Sequence, residues 1–182
     1  MLIHETGFDG LLELTPREFR DPRGSFFEAF NQTLFQQLNL PYRFVQDNQS
    51  HSVKGVLRGM HLQIQPFEQV KLVRVVHGRV VDIALDLRPG SRTFGRYYRT
   101  ILEGSRHNML LIPAGFAHGF CALEETVFFY KCSNFYHAES ERGIIWNDPD
   151  LSIDWGLADP LISEKDKKLP SLKEYCQSMG IG

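Results

Sequence analysis

Short runs rich in β-branched and aromatic residues, divided by glycine, proline and asparagine turn signals, recur through the first three quarters of the chain. They fall at 25–30, 44–50, 56–63, 69–76, 79–87, 97–103, 109–112, 116–123 and 126–133. Strand-like runs at such spacing point to a mainly β sandwich or barrel. In the first half only "NQTLFQQLNL" reads as a short helix, with Asn31 as its N-cap. The tail differs: "SEKDKKLPSLKEYCQS" holds two capping-box patterns, Ser163 with Asp166 and Ser171 with Glu174, which predict helical turns. No linker, fixed-period repeat or low-complexity segment divides residues 1–182, so one domain is expected.

Composition removes several classes of function. A chain of 182 residues, 42% hydrophobic and 23% charged, is ordinary globular material with enough length for a core. No stretch approaches the roughly 20 apolar residues of a membrane span. The opening "MLIHETGFDGLLEL" lacks a basic flank before an apolar stretch, so no signal peptide is expected. Cys121, Cys132 and Cys176 form no CxxC pair, which points to a reducing cytoplasm. A formal net charge of -2 argues against a nucleic-acid binder. From His51 to Arg79, however, five Lys/Arg accompany a single Glu. Charge alone leaves open a solvated basic face and a pocket for an anionic small molecule.

The segment 69–87 reads as a hairpin turning at His77-Gly78. Side chains alternate along its arms, so Lys71, Val73 and Val75 share one face and Leu72, Arg74 and Val76 the other. In that pairing Lys71 opposes Ala84 and lies diagonal to Asp82 and Asp86, within reach of a cross-strand ion pair. The spacing equally permits a lysine aimed into a barrel mouth beside His61.

Two motifs suggest which kind of β fold this is. Gly55 to His61 forms Gly-x5-His, and "IPAGFAHGF" places Pro113, Gly115 and His118 as P-x-G-x-x-H. Both are cupin-like and suggest sheet-crossing motifs of one small jelly roll. Metal-binding barrels of that type carry a second His two residues after the first; here that position is Gln63. Catalytic zinc or iron needs at least three protein ligands, so no metal is expected. A histidine without a metal suits proton transfer, since the imidazole's ordinary pKa is near neutrality. Such a base needs an orienting partner, a second acid or base, and a group facing the charge that develops. Asp166, Tyr130 and Lys71 are candidates for these parts. Asp166 could equally be a cap residue, and Tyr130 a core tyrosine with its hydroxyl satisfied.

Longer stretches carry a resemblance. "DPRGSFFEAFN", "FVQDNQSHSVKGVLRGMH", "QVKLVRVVHGRVVDIALDLRPGSRTFG", "LIPAGFAHGF", "FFYK", "GIIWNDPDLSIDW" and "LISEKDKKLP" are similar to the dTDP-4-dehydrorhamnose 3,5-epimerase family, metal-free cupin enzymes of activated rhamnose synthesis. The resemblance implies a jelly-roll epimerase acting on a dTDP-linked 4-keto-6-deoxyhexose at carbons 3 and 5, without cofactor. It implies His61 as the base, Asp166 as its paired carboxylate, Tyr130 as the acid across the ring and Lys71 near the ketone oxygen. Arg23 and Arg58 match diphosphate or sugar contacts, where forked donors suit phosphate. Gln46, Asp47, Asn48, Glu28, His118, Glu141 and Lys165 match further ligand-contacting positions. Phe19 and one of Phe135 or Tyr136 resemble the aromatics that flank thymine. The family's N-terminal strands cross to a neighbour in a homodimer, so Phe19, Arg23 and Glu28 are expected to serve the partner's site.

Departures are small. Met60 and Leu62 replace residues that are often Leu and an aromatic in relatives, both volume-tolerant changes. "EETVFF" is about one residue shorter than in some relatives, and the "YK" after it anchors Tyr130. Three other functions stay in view: a 3-epimerase of another deoxysugar, a metal cupin using His61 and His118, and a non-catalytic sugar-nucleotide binding module.

Overall fold

Alternation of side chains across extended strands builds the architecture of the computed structural model, which describes residues 1–181. Strands are numbered in chain order. One sheet runs β1 (Leu2–Glu5), β2 (Leu12–Thr15), β10 (Met109–Ile112), β7 (Lys71–His77), β12 (Thr126–Cys132) and β5 (Gln46–Ser52). The other runs β13 (Glu141–Gly143), β6 (Val56–Gln63), β11 (Phe116–Ala122), β8 (Arg79–Asp86) and β9 (Tyr97–Glu103), with β14 (Leu161–Ile162) beside β6. A separate hairpin joins β3 (Glu18–Asp21) to β4 (Gly24–Phe27). Helices α1 (Gln32–Gln37) and α2 (Leu172–Met179) are short. From β5 to β8, and again from β9 to β12, successive strands alternate between the two sheets, in keeping with the jelly-roll expectation.

Inner-facing residues of both sheets, among them Val73, Val75, Ala84, Leu110, Phe120 and Phe128, form one shared core. The outer face of the first sheet, with Leu14, Leu72 and Leu111, is covered by Phe35 of α1 and by Leu40. That of the second, with Leu57, Ile83 and Leu85, is covered by Trp155 and by Tyr175 of α2. Phe35 is fully buried, and such burial stabilises by roughly 2–3 kcal/mol. Asn31 caps α1 by accepting from Thr33 and Leu34 N–H, and Ser171 and Glu174 form a complete capping box on α2. Among the described residues no helix is long and apolar enough to cross a membrane.

Strands expected at 56–63, 97–103 and 109–112 are found with those bounds. The short β1, β2, β3, β13 and β14 lay outside the expectation. One expectation is overturned. β7 and β8 are not a hairpin: β7 pairs with β10 and β12, whereas β8 pairs with β9 and β11. His77-Gly78 is a crossing between sheets, and Lys71 therefore lies opposite Ile112 and Cys132 instead of Ala84. Both arms are apolar on both faces, and their inner faces meet across the core. An apolar run of that kind serves stacking between sheets as well as pairing within one.

The turn after β8 is held by Asp86. Its carboxylate, fully buried, accepts from Arg88 Nη2 (2.8 Å), Ser91 Oγ (2.6 Å) and Thr93 Oγ1 (2.6 Å). Burial pushes the carboxyl up, and these donors more than reverse it, to about 2. Asp titrates near ~3.9 in an unfolded chain. The stabilisation is therefore complete above that pH and is lost as pH falls through about 2. Asp86→Asn is expected to lose about 2 kcal/mol at neutral pH. In urea titrations the gap to the parent protein should close between roughly pH 4 and pH 2; a gap independent of pH would assign the loss to packing.

Candidate active site

The site begins with an irregularity in β6. His118 pairs with His61 and Phe120 with Arg58, so β6 spends three steps where β11 spends two. That extra residue is a bulge, and it turns Arg58 and His61 to the same side despite their odd spacing. Gly59 sits in it at φ 123°, and a Cβ there would lie 2.5 Å from the Gly119 Cα. Only glycine fits.

His61 Nε2 lies 2.7 Å from Asp166 Oδ1, and the other carboxylate oxygen accepts the Gly59 N–H at 3.3 Å. Asp166, 4% exposed, opens the 3-10 turn Asp166–Lys168, with its own N–H capped by Ser163 Oγ. Of the predicted capping box only this half forms, because the Asp166 carboxylate turns to His61. Burial pushes that carboxyl up, but the hydrogen bond and charge of His61 outweigh it and hold it below the usual Asp range. An ionised acceptor at Nε2 keeps the proton there and leaves Nδ1 as the basic nitrogen.

The opposite sheet supplies the other groups. Tyr130 lies between Asn48 and Val73 in the ladder, and Lys71 lies beside Cys132. Lys71 shares its inner face with Val73 and Val75 and donates to the His61 carbonyl at 3.3 Å. Burial drives its ammonium pKa down, with Cys132, Glu141 and Asp82 pulling the other way. Tyr130 is half-buried, and burial raises its phenol, so the hydroxyl stays protonated at neutral pH. Among the described residues that hydroxyl has no hydrogen-bond partner. A core tyrosine would have one.

These side chains line a cleft of ≈ 620 Å³ between the sheets, floored by Phe120 and Phe128. Arg58, His118, Asn48 and Lys165 are on its wall. A narrower arm of ≈ 140 Å³ shares His61, Lys71, Tyr130 and Asn48, and adds Gln46, Tyr136 and Glu141. Glu141 accepts from Tyr136 Oη at 2.8 Å and Lys165 Nζ at 2.5 Å. Burial pushes the Glu141 carboxyl up, and these two donors bring it net down.

Other expected residues lie elsewhere. Asp47 faces away from the cleft and pairs with Lys131 at 2.8 Å, as alternation along β5 requires. Phe19 and Arg23 line a separate depression on the β3–β4 hairpin, and Glu28 follows it, accepting from Asn31. Asp82 was missed as a site residue: fully buried on β8, it holds His118 Nε2 at 2.9 Å. An acid inside the apolar run "RVVDIALD" was the available signal. Among the described residues no group of three His, Cys, Asp or Glu has metal-holding geometry.

A family model for dTDP-4-dehydrorhamnose 3,5-epimerase matches residues 5–174. The chain belongs to this family. The dTDP-4-dehydrorhamnose 3,5-epimerase of Pseudomonas aeruginosa is 52% identical over 156 residues, 84% of this chain and 86% of that one. A crystal structure of the Legionella pneumophila 3,5-epimerase in complex with dTDP-4-keto-L-rhamnose superposes with a TM-score of 0.90 at 44% identity, covering 94% of this chain and 93% of that one. The dTDP-4-dehydrorhamnose 3-epimerase of Streptomyces niveus is 37% identical over 176 residues, 96% of this chain and 85% of that one. The family thus includes relatives named for inversion at one carbon as well as at two.

Proposed function

We propose that this family member is a dTDP-4-dehydrorhamnose 3,5-epimerase. It removes the protons on carbons 3 and 5 of dTDP-4-dehydro-6-deoxy-D-glucose and returns them on the opposite faces, giving dTDP-4-dehydro-L-rhamnose. The observation that carries this reading is His61 of one sheet, paired with the buried Asp166 carboxylate and facing a cleft shared with an unpartnered Tyr130 hydroxyl on the other sheet. A proton beside a ketone leaves only if the enolate oxygen is stabilised. His61 takes the proton, Asp166 holds the imidazolium that forms, Lys71 faces the enolate oxygen, and Tyr130 delivers a proton to the other face. Each inversion adds one proton to His61 and takes one from Tyr130, exchange with solvent resets both, and no electrons leave the sugar, so the step calls for no cofactor. Arg58 and Lys165 offer donors for the diphosphate and sugar, with His118 beside them and Gln46, Asn48 and Glu141 on the narrower arm.

The working unit we propose is a cytoplasmic homodimer in which Phe19, Arg23 and Glu28 complete the partner's site. Support comes from the β3–β4 hairpin, which pairs with neither sheet and leaves Phe19 and Phe26 half or more exposed, and from three unpaired cysteines. Incubation with the dTDP-ketosugar in heavy water tests the function. Deuterium is expected at both carbons. Label at carbon 3 alone would make it a 3-epimerase, and binding without exchange would make it a binding module.

A further inference from the structure

Gln63 occupies the position where a metal cupin has its second histidine, and the structure assigns it another task. Its side chain, 4% exposed, points to the segment that follows β12. Nε2 donates to the Phe67 carbonyl at 2.6 Å and the Phe135 carbonyl at 3.2 Å, and Oε1 accepts the His137 N–H at 2.8 Å. Two further glutamines hold the neighbouring residues Asn134 and Tyr136. Gln69 Nε2 donates to the Asn134 carbonyl at 2.8 Å, and Gln46 Oε1 accepts the Tyr136 N–H at 2.9 Å. Three amides from β5, β6 and the stretch just before β7 thus grip four consecutive residues, 134 to 137.

What they grip is an aromatic pair. Phe135 is 64% exposed and Tyr136 56% exposed, an unusual cost for two large rings unless they meet a ligand. Tyr136 also borders the narrower arm of the cleft and bonds Glu141. We infer that Gln63, with Gln46 and Gln69, is a positioning residue that fixes the Phe135–Tyr136 platform against the nucleotide end of the substrate. This rests on the proposed function and on the stacking of one of those rings on the base, which the family resemblance implies. An amide is the group this task requires, since it offers two donors and an acceptor in one plane. A carboxylate would face two carbonyl oxygens, and an imidazole lacks the third bond. Gln63 therefore acts on binding, although it stands two residues from the base.

Gln63→Met keeps length and volume while leaving the Phe67 and Phe135 carbonyls and the His137 N–H unpaired. The folded variant should show faster amide exchange at His137, with KM for the ketosugar and Kd for dTDP raised about tenfold. Its kcat should stay within about threefold, the pattern of lost uniform binding. Gln69→Met frees only Asn134 and should shift KM the same way by less; it replaces Gln63→Met should that variant not fold. Phe135→Ala and Tyr136→Ala are measured beside them. If neither weakens dTDP binding, the stacking reading fails and the inference fails with it. If one does, but both glutamine variants bind dTDP normally, the inference alone is overturned. A drop in kcat at unchanged KM would place Gln63 in the proton transfer instead.

Discussion

Replacing His61 with Asn is expected to abolish hydrogen exchange at both carbons 3 and 5 while dTDP still binds. One imidazole must serve both positions in the proposed reaction, and of the two histidines lining the cleft His61 is the more open. His118, opposite it in the ladder, carries a like bond to the fully buried Asp82 at 2.9 Å but is only 8% exposed, against 27% for the His61 side chain. Loss of a positioned base typically costs about a hundredfold to ten-thousandfold in rate. The substitution also removes the hydrogen-bonding ring that Asp166 holds at 2.7 Å, leaving that carboxylate with the Gly59 N–H. A stability loss of roughly 1–3 kcal/mol should accompany the loss of exchange. Circular dichroism and dTDP titration confirm that the variant is folded, and proton NMR in heavy water reads the exchange. Near-normal turnover in a folded His61→Asn protein would take the base away from His61.

Tyr130→Phe should separate exchange from inversion. If the base withdraws each proton on one face, inversion requires a donor on the other. Tyr130 reaches the cleft from the opposite sheet with a hydroxyl that burial keeps protonated. Phe retains the ring and its packing near Phe128, whose centroid lies 6.2 Å away. The variant should fold, bind dTDP and still wash label from the substrate. Doubly inverted product should fall by about a hundredfold or more, because the enolate is reprotonated from the side it left. Chiral analysis of the product, beside the label measurement, provides the check. Normal yields of inverted sugar would hand the acid's part to another residue or to water.

Much of this was legible along the chain, and what was not has a common physical cause. Period-two alternation foretold that Lys71 shares a face with Val73 and Val75, and it does. Alternation says nothing about which strand lies alongside, so β7 and β8 were read as partners when they stack across the core. Arg58 and His61 are three apart, and strict alternation would part them; only the bulge at Gly59, packed on Gly119, brings them together. Asp166 and His61 are separated by 105 positions, and His118 and Asp82 by 36. No local pattern records such pairings. The resemblance supplied the first, while the second, like the grip of Gln63 on residues 135 and 137, became visible only in three dimensions.

The division of labour between the sheets has a further consequence. His61 and Asp166 belong with β6, whereas Tyr130, Lys71 and Asn48 ride on β12, β7 and β5. Neither sheet alone holds a complete set of chemical groups. Catalytic competence therefore arises late in folding, when distant segments dock, and long-range docking is the slow stage of β-rich chains. A ligand lying in the cleft touches both halves at once and so acts as a rivet between them, lending the assembled state stability that depends on its concentration. In the proposed reaction, synthesis of the first hundred residues delivers the base but neither its carboxylate nor its opposing acid. The nascent chain stays chemically silent until its last quarter has folded back.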